Sequence, residues 1–335
     1  MNDLRRDCLK PKLLIVELWG LGDLVLATPF LRAASERFDV TLLAKPHALE
    51  LQPRLWPGVR VITFSAPWTP FKGKYRLWHW PWREMFRLRR QLAAEQFEYG
   101  LSARLDPRDH LLLQLVGVKN RIGFPRLGSG IFLTRRLAQP EFLEHRYDFW
   151  RIIGKALGIE LPERTKIPLP KPQGNRPVLV HSGARLPPRM WQLENYHALV
   201  RHLRESGRIV QVVCDPGQQS WWQKTGEASV ACPHTVTELF HLVDQAGLFI
   251  GNDSGPGHLA AICGVPTFTI LGPTLPEWTP LHPAAEWIEG KACPYKPCLD
   301  YCRFPTPHCL WNVSEDEVWQ RVEKFAATHL SSQPR

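Results

Sequence analysis

The sequence predicts an α/β fold built from two successive Rossmann-like domains. Three observations carry this: short apolar runs alternate with helical patterns along the chain, small residues follow several of those runs, and prolines crowd the middle. A chain of 335 residues is also long for one doubly wound domain and suits two.

The first rhythm begins at Lys12 to Leu18, an apolar run ending at Gly20 and Gly22. Thr28-Pro29 then opens a helical pattern, Thr as a cap and Pro suited to the first helical position. Asp39 to Ala44 and Gly58 to Phe64 read as the next strands, around a helix through Ala48 to Leu55. A strand at Tyr99 to Ala103, a helix from Arg108 to Val116, a short Arg121 to Phe124 segment and an amphipathic helix from Glu141 to Leu157 complete this half.

Pro162, Pro168, Pro170, Pro172 and Pro177 favour an extended, semi-rigid connection. The rhythm then restarts with strand Val178 to His181, helix Leu193 to Glu205, strand Arg208 to Val213 and a helix near Gln218. Helix Val236 to Ala246, strand Leu248 to Ile250, helix Gly257 to Cys263 and strand Thr267 to Leu271 follow. The expected division is an amino-terminal domain over 1–165, a linker over 166–177, a second domain over 178–313, and a final helix within 314–335 crossing the boundary. Open parallel sheets bind ligands beyond the carboxyl ends of their strands, so two such domains imply a cleft with one substrate on each side.

Ordinary apolar content and the lack of repeats or low-complexity tracts exclude a disordered chain or a solenoid. No uncharged apolar run reaches membrane-spanning length, and no apolar stretch follows the basic residues of Met1 to Lys12, so the expected location is cytoplasmic. Cysteines there are reduced, which favours packing or metal binding over disulfides. A net charge of +10 draws polyanions: nucleotides, phosphorylated glycans, anionic lipids or nucleic acid. Nucleic acid is set aside because no helix-turn-helix, RNP or zinc-finger signature is present.

The strongest local pattern is Gly251-Asn252-Asp253-Ser254-Gly255-Pro256-Gly257-His258, lying between an apolar strand and a short helix, with Leu271-Gly272-Pro273-Thr274 after the next strand. Small residues admit a ligand to the backbone, and amides at a helix start favour a pyrophosphate. On local physics alone an ordinary capped turn fits equally.

Asn252-Asp253-Ser254-Gly255 with His258, then Gly272-Pro273-Thr274, resembles the donor-site signature of glycosyltransferase family 9, whose best-known members are the ADP-heptose lipopolysaccharide heptosyltransferases. Gly22-Asp23 with Pro29 downstream, Arg121-Ile122-Gly123-Phe124, and His181-Ser182-Gly183-Ala184 with Arg189-Met190-Trp191 fall in the family's order. The resemblance runs from about Lys12 to Phe325.

That resemblance implies a GT-B fold and an inverting transfer without a catalytic metal or other cofactor. It implies a nucleotide-sugar donor such as ADP-heptose on the second domain, and a lipopolysaccharide core or other glycan acceptor on the first. By position, Asp23 corresponds to the general base, a role that suits a carboxylate on a glycine loop at a strand end. Gly22 stands beside it on the acceptor side. Ser182, Gly183, Arg189, Asp253, Ser254, Gly255, His258 and Thr274 fall on the donor side. Arg189 replaces the family's usual lysine and can still grip a phosphate. Gln218-Gln219 stands where relatives often place a glutamate for the ribose, which leaves that contact open. His258 reads equally as a residue that orients its loop.

Two features lie outside the signature. Cys293, Cys298, Cys302 and Cys309 could hold a structural metal, although their spacing lacks Cys-x-x-Cys pairs, or could simply pack. The segment from Trp68 to Arg90 interleaves aromatic and basic residues, including Arg87, Arg89 and Arg90. It suits a phosphorylated glycolipid acceptor or an anionic membrane surface, or else is a covering loop beside a solvated helix face. The functional alternatives are a nucleotide-sugar epimerase of the same architecture and a non-enzymatic polyanion-binding protein.

Overall fold

The computed structural model describes residues 10–70, 76–141, 144–172, 176–227, 229–298 and 302–330. The chain forms two compact units: Met1–Glu141 with Asp148–Leu161, and Phe142–Tyr147 with Pro162–Arg335. The chain thus visits the second unit briefly before its main entry at Pro162. Within that unit the carbonyl of Pro170 lies against Gly264, so the proline-rich stretch expected as a linker is laid onto a domain.

The first unit contains β1 (Lys12–Glu17), α1 (Leu21–Leu26), α2 (Thr28–Arg37), β2 (Asp39–Ala44), α3 (Ala48–Leu55), β3 (Arg60–Thr63), α4 (Trp82–Ala94), β4 (Tyr99–Ser102), α5 (Pro107–Val116), β5 (Asn120–Gly123) and β6 (Arg135–Arg136). Its last helix is α6 (Arg146–Ala156), which begins in the other unit's short segment. All the pairings are parallel, in the order β3-β2-β1-β4-β5-β6. Strand direction along the sheet therefore reverses its sequence order between β1 and β4, the switch point where loops splay apart and leave a crevice. Leu13 to Val16 are all buried, as expected of a central parallel strand covered on both faces.

Two boundaries differ from the sequence reading. The turn after β1 is shorter than expected, because α1 starts at Leu21 with Gly20 as its cap and places Gly22 and Asp23 in its first turn. Helix α6 starts at Arg146 rather than near Glu141, since the His145 ring accepts the amide of Tyr147 at 3.1 Å and caps the helix there. The earlier expectation at 142–143 lies outside the described residues.

The second unit runs β7 (Val178–His181), α7 (Leu193–Glu205), β8 (Val210–Val213), α8 (Gln219–Lys224), α9 (Val236–Gln245), β9 (Leu248–Asn252), α10 (Gly255–Ile262), β10 (Thr267–Leu271), β11 (Glu286–Glu289), α11 (His308–Trp311) and α12 (Glu315–His329). Its parallel sheet has the order β11-β10-β9-β7-β8, which puts the switch point between β7 and β9. Ser314 caps α12 and Glu317 returns the bond, the reciprocal box written in Ser-Glu-Asp-Glu. The apolar face of α12, Val318, Val322, Phe325 and Ala326, is built into this unit's own core with Trp191, Tyr196 and Phe268.

At Gly264, after α10, φ is +87° and an added Cβ would stand 1.7 Å from the Pro170 carbonyl oxygen. Both the backbone region and the contact exclude a side chain. Gly264→Ala should therefore cost about 3 kcal/mol or more of stability in urea unfolding; a loss under about 1 kcal/mol would mean that the Pro170 segment is not seated here.

Candidate functional site

In the first unit the switch point gathers charge. Asp23 is divided between two partners: Oδ2 accepts the Gly20 amide at 3.0 Å, and Oδ1 pairs with Arg104 Nη1 at 2.7 Å. Capping therefore uses one oxygen only. Arg104 comes from just beyond β4, its guanidinium 4.2 Å above the Trp19 ring and its amide donating to Ser102 Oγ at 3.1 Å. The Ser102 hydroxyl in turn donates to Asp109 Oδ2 at 3.0 Å. The carboxyl ends of β1 and β4 are thus tied together by a chain of polar contacts.

Two further acids are buried beneath it. Glu17 ends β1, and its Oε1 accepts the Trp19 amide at 3.3 Å. Burial first, and the carboxylate of Asp23 next, push Glu17 up to about 8, while Arg104 opposes them. Burial, then Asp106, likewise push Asp109 up to about 7. Burial thus favours the protonated form of Glu17 beside the arginine-bound Asp23, so two neighbouring carboxyls stand in different surroundings.

In the second unit, the carboxyl ends of β7, β9 and β10 converge. Asn252 closes β9 with its side chain: Nδ2 donates to the carbonyls of Ser182 at 2.9 Å and Gly183 at 3.2 Å, and Oδ1 accepts the Trp191 amide at 3.0 Å. Asp253 Oδ2 accepts the Thr274 hydroxyl at 2.6 Å and faces Arg189 Nη1 at 3.3 Å. Ser254 caps α10, whose first turn holds Gly255, Pro256 and Gly257, so the helix starts two residues earlier than the pattern suggested. Proline is tolerated there because a first-turn amide needs no helical partner. The result is a guanidinium and a carboxylate beside a helix start whose dipole favours an anion.

The remaining donor-side residues divide into two groups. Gly183 is required by contact: a Cβ would fall 2.4 Å from Asp215 Cγ. Ser182 is fully buried and spent internally, its hydroxyl donating to Gln218 Oε1 at 3.0 Å and accepting the Trp222 indole at 3.0 Å. Gln218 also receives the Asp215 amide at 3.3 Å, so its side chain closes the turn after β8 instead of reaching outward. His258 lies buried near His145. His145 Nε2–H must donate to the Thr279 carbonyl at 2.8 Å, because Nδ1 accepts the Tyr147 amide. This fixes a neutral tautomer, and burial holds His145 down to about 3. Burial also keeps His181 below the usual range, despite Asp215 at 3.9 Å.

Gly22 lies in the first turn of α1, beside Asp23. Arg87, Arg89 and Arg90 all emerge on α4, but Arg89 Nε donates to the Leu115 carbonyl at 2.7 Å and so closes the end of α5. The four cysteines lie close enough for Cys293, Cys298 and Cys302 each to act on the Cys309 thiol. Cys293, Cys298, Cys302 and Cys309 are free thiols, Cys298 donating to the Tyr295 carbonyl at 3.2 Å and Cys302 facing the Thr306 carbonyl at 3.7 Å. Burial, and then the neighbouring thiols, raise Cys298. Among the described residues, no group of three or more His, Cys, Asp or Glu is placed to hold a metal ion. No described helix is long and apolar enough to cross a membrane.

Sequence reasoning passed over Glu17, Arg104, Asp109 and His145. Glu17 left a signal, as an acid closing an otherwise apolar strand, Lys12-Leu-Leu-Ile-Val-Glu17. His145 left none, because its partners Thr279 and His258 are distant in sequence.

Two parallel α/β units, with a likeness to solved heptosyltransferases, make this a GT-B fold. The chain belongs to glycosyltransferase family 9 (heptosyltransferase), whose sequence model matches residues 85–305, more than half of its length. It is 22% identical over 234 residues to the lipopolysaccharide core heptosyltransferase OpsX of Haemophilus influenzae, an alignment spanning 63% of each chain. Its fold resembles E. coli heptosyltransferase WaaC solved with ADP, with a TM-score of 0.71 at 18% identity, covering 94% of this chain and all of that one. It also resembles E. coli ADP-heptose lipopolysaccharide heptosyltransferase II, with a TM-score of 0.68 at 17% identity, covering 95% and 99% respectively.

The buried acids have a consequence for stability. A carboxyl whose folded pKa is raised to about 8 keeps a proton that the unfolded chain releases near 4.5, so its stabilising contribution is full below about 4.5 and is lost as pH rises through 8. Glu17→Gln should therefore match the wild type near pH 4 and become the more stable protein by pH 9, by several kcal/mol and up to about 5, since each unit of displacement is worth about 1.4 kcal/mol. Parallel stability–pH curves in urea unfolding would refute a protonated Glu17.

Proposed function

We propose that this chain is an inverting, metal-independent transferase that moves a heptose or related sugar from an ADP-sugar-type donor to a lipopolysaccharide core or other glycan acceptor. The observation that carries the reading is the Asp253, Arg189 and Thr274 cluster at the start of α10, on the switch point of the second unit. Family membership supports it, as do the likenesses to a heptosyltransferase solved with ADP and to one named for ADP-heptose.

In this reading Arg189 and the first turn of α10 take the donor diphosphate, with Gly183, Ser254 and Gly255 letting its oxygens approach the backbone. Asp253 trades its contact with Arg189 for sugar hydroxyls, and Thr274 keeps it oriented. Ser182 and His258 act behind the surface, the first holding the β7 turn, the second packing against the loop. On the acceptor side Asp23 takes the proton of the attacking hydroxyl. The acceptor oxygen forms its bond to the anomeric carbon from the face opposite the diphosphate, and the carbon–oxygen bond to the diphosphate breaks. Developing charge on the leaving group falls to Arg189 and the helix start. Arg104 positions Asp23 by holding Oδ1, and the Gly20 amide holds Oδ2. Glu17, kept neutral, adds no competing charge beneath the base.

Asp23→Asn should cut turnover at least roughly a hundredfold while ADP binding by titration calorimetry stays unchanged, because an amide cannot accept the proton. A variant retaining more than about a tenth of wild-type turnover refutes the general-base role.

Arg189→Ala should weaken ADP binding by about 2 kcal/mol and slow transfer, since one charge-assisted contact is lost as the leaving group charges. Arg189→Lys should restore much of both. Unchanged ADP affinity in the alanine variant would place the diphosphate elsewhere.

A further inference from the structure

The face of α4 turned away from the core is unusual for a solvated helix. Leu88 and Leu92 are buried, with Met85 packed beside them, in the first unit's core. On the opposite side Phe86 is 62% exposed and Trp82 44%, and Trp78, in the 3-10 turn Leu77–His79 just before the helix, is 77% exposed. Trp82 and Phe86 stand four residues apart and form one ridge. Arg83, Arg87 and Arg90, spaced four and three apart, are exposed on the adjoining ridge. Glu84, exposed and three residues before Arg87, borders the arginine ridge on the side away from the rings, so one acid adjoins three arginines.

The aromatic side chains are held from below. Rings step outward from the core, Phe64 to Trp68 at 6.0 Å, Trp68 to Trp80 at 5.7 Å and Trp80 to Trp82 at 5.4 Å, and the Trp82 indole donates to the Leu77 carbonyl at 2.9 Å. Ordering bulky rings at a surface leaves apolar area in water with no return from this chain's own core. Indoles beside guanidinium groups match the zone of a bilayer where ester groups and phosphates meet the acyl chains. The chain's net charge of +10 agrees in sign.

We propose that this face of the Leu77–His79 turn and α4 docks the protein on an anionic lipid bilayer, Trp78, Trp82 and Phe86 entering the interface while Arg83, Arg87 and Arg90 meet lipid phosphates. Arg89 is excluded, because it serves Leu115. The inference stands on exposure, spacing and charge, and is independent of the transferase reading.

The test is sedimentation of the full chain with phosphatidylcholine vesicles, with and without phosphatidylglycerol, in the absence of any donor or acceptor. The wild type should bind only the vesicles containing phosphatidylglycerol, and less as salt is added. Replacing Arg83, Arg87 and Arg90 together by Gln should weaken binding roughly a hundredfold, about fivefold for each arginine. Trp78→Ser with Phe86→Ser should weaken it at least about tenfold and reduce the vesicle-induced blue shift of tryptophan fluorescence. All five positions are exposed, so the variants should keep the wild-type circular dichroism and melting. Less than about a threefold change in both variants, or no binding by the wild type, overturns the proposal. So does a concentration-dependent dimer that the Trp78→Ser, Phe86→Ser variant loses while vesicle binding stays the same, since a second copy would then be the occupant.

Discussion

The carboxamide of Asn252 is the contact on which the switch point of the second unit depends. In a parallel sheet the strands on either side of the switch point send their following segments in opposite directions, so nothing in the ladder of β7 and β9 fixes the two loops to each other. Asn252 does so with both ends, donating across to the β7 turn and accepting from Trp191. Each of these bonds is buried, where a missing partner costs about 1–3 kcal/mol. An aspartate of the same shape would have no donor for the two carbonyls, so amide chemistry as well as shape is required. Trp191, held through its amide, is anchored by its indole on the Val313 carbonyl at 2.9 Å, which fixes the stretch carrying Arg189.

The first unit solves the same problem with charge. Arg104 reaches from the β4 end to Asp23 at the β1 end, and the pair is only partly exposed. Asp23 thereby has a guanidinium on one oxygen and a backbone amide on the other. The surrounding acids follow the opposite rule. Glu17 and Asp109 lie deeper, are given hydroxyl or amide partners, and are driven toward their neutral forms. Asp106, which caps α5 and pairs with Arg108, is the further carboxylate of this cluster, and after burial it is the one that raises Asp109.

Much of this was legible in the sequence, for reasons that can be named. Parallel strands covered on both faces are continuous apolar runs, so Lys12-Leu-Leu-Ile-Val and Val178-Leu-Val-His stand out, and the ends of α7 and β10 fall where the pattern puts them. The turn after β9 was visible because close approach of backbone to backbone demands small residues, as at Gly251, where a Cβ would stand 2.9 Å from the His181 carbonyl oxygen. What escaped was made by distance in sequence. Arg104 lies 81 residues from Asp23, and His145 lies 134 from Thr279; neither spacing carries a periodic signal. The extent of the helix starts was also misjudged. Glycine and proline suggest loop, whereas at the first turn of α10 they are compatible with helix, because the amides there have no helical acceptor to lose.

Gln218 shows how a departure from a familiar pattern can be absorbed structurally. A glutamate at that position would bring a charge to a buried turn, next to Ser182 and within reach of the Asp215 amide. Charge there is tolerable only if a ligand hydroxyl or a cation meets it. The amide of Gln218 instead satisfies itself on both sides, accepting from Ser182 and Asp215 and donating to the Ser182 carbonyl at 3.3 Å. The turn after β8 is therefore complete without a ligand, and Asp215, half-exposed at its start, is the nearest carboxylate left to face outward. The contact of Arg189 with Asp253 and the start of α10 lie outside this closed turn.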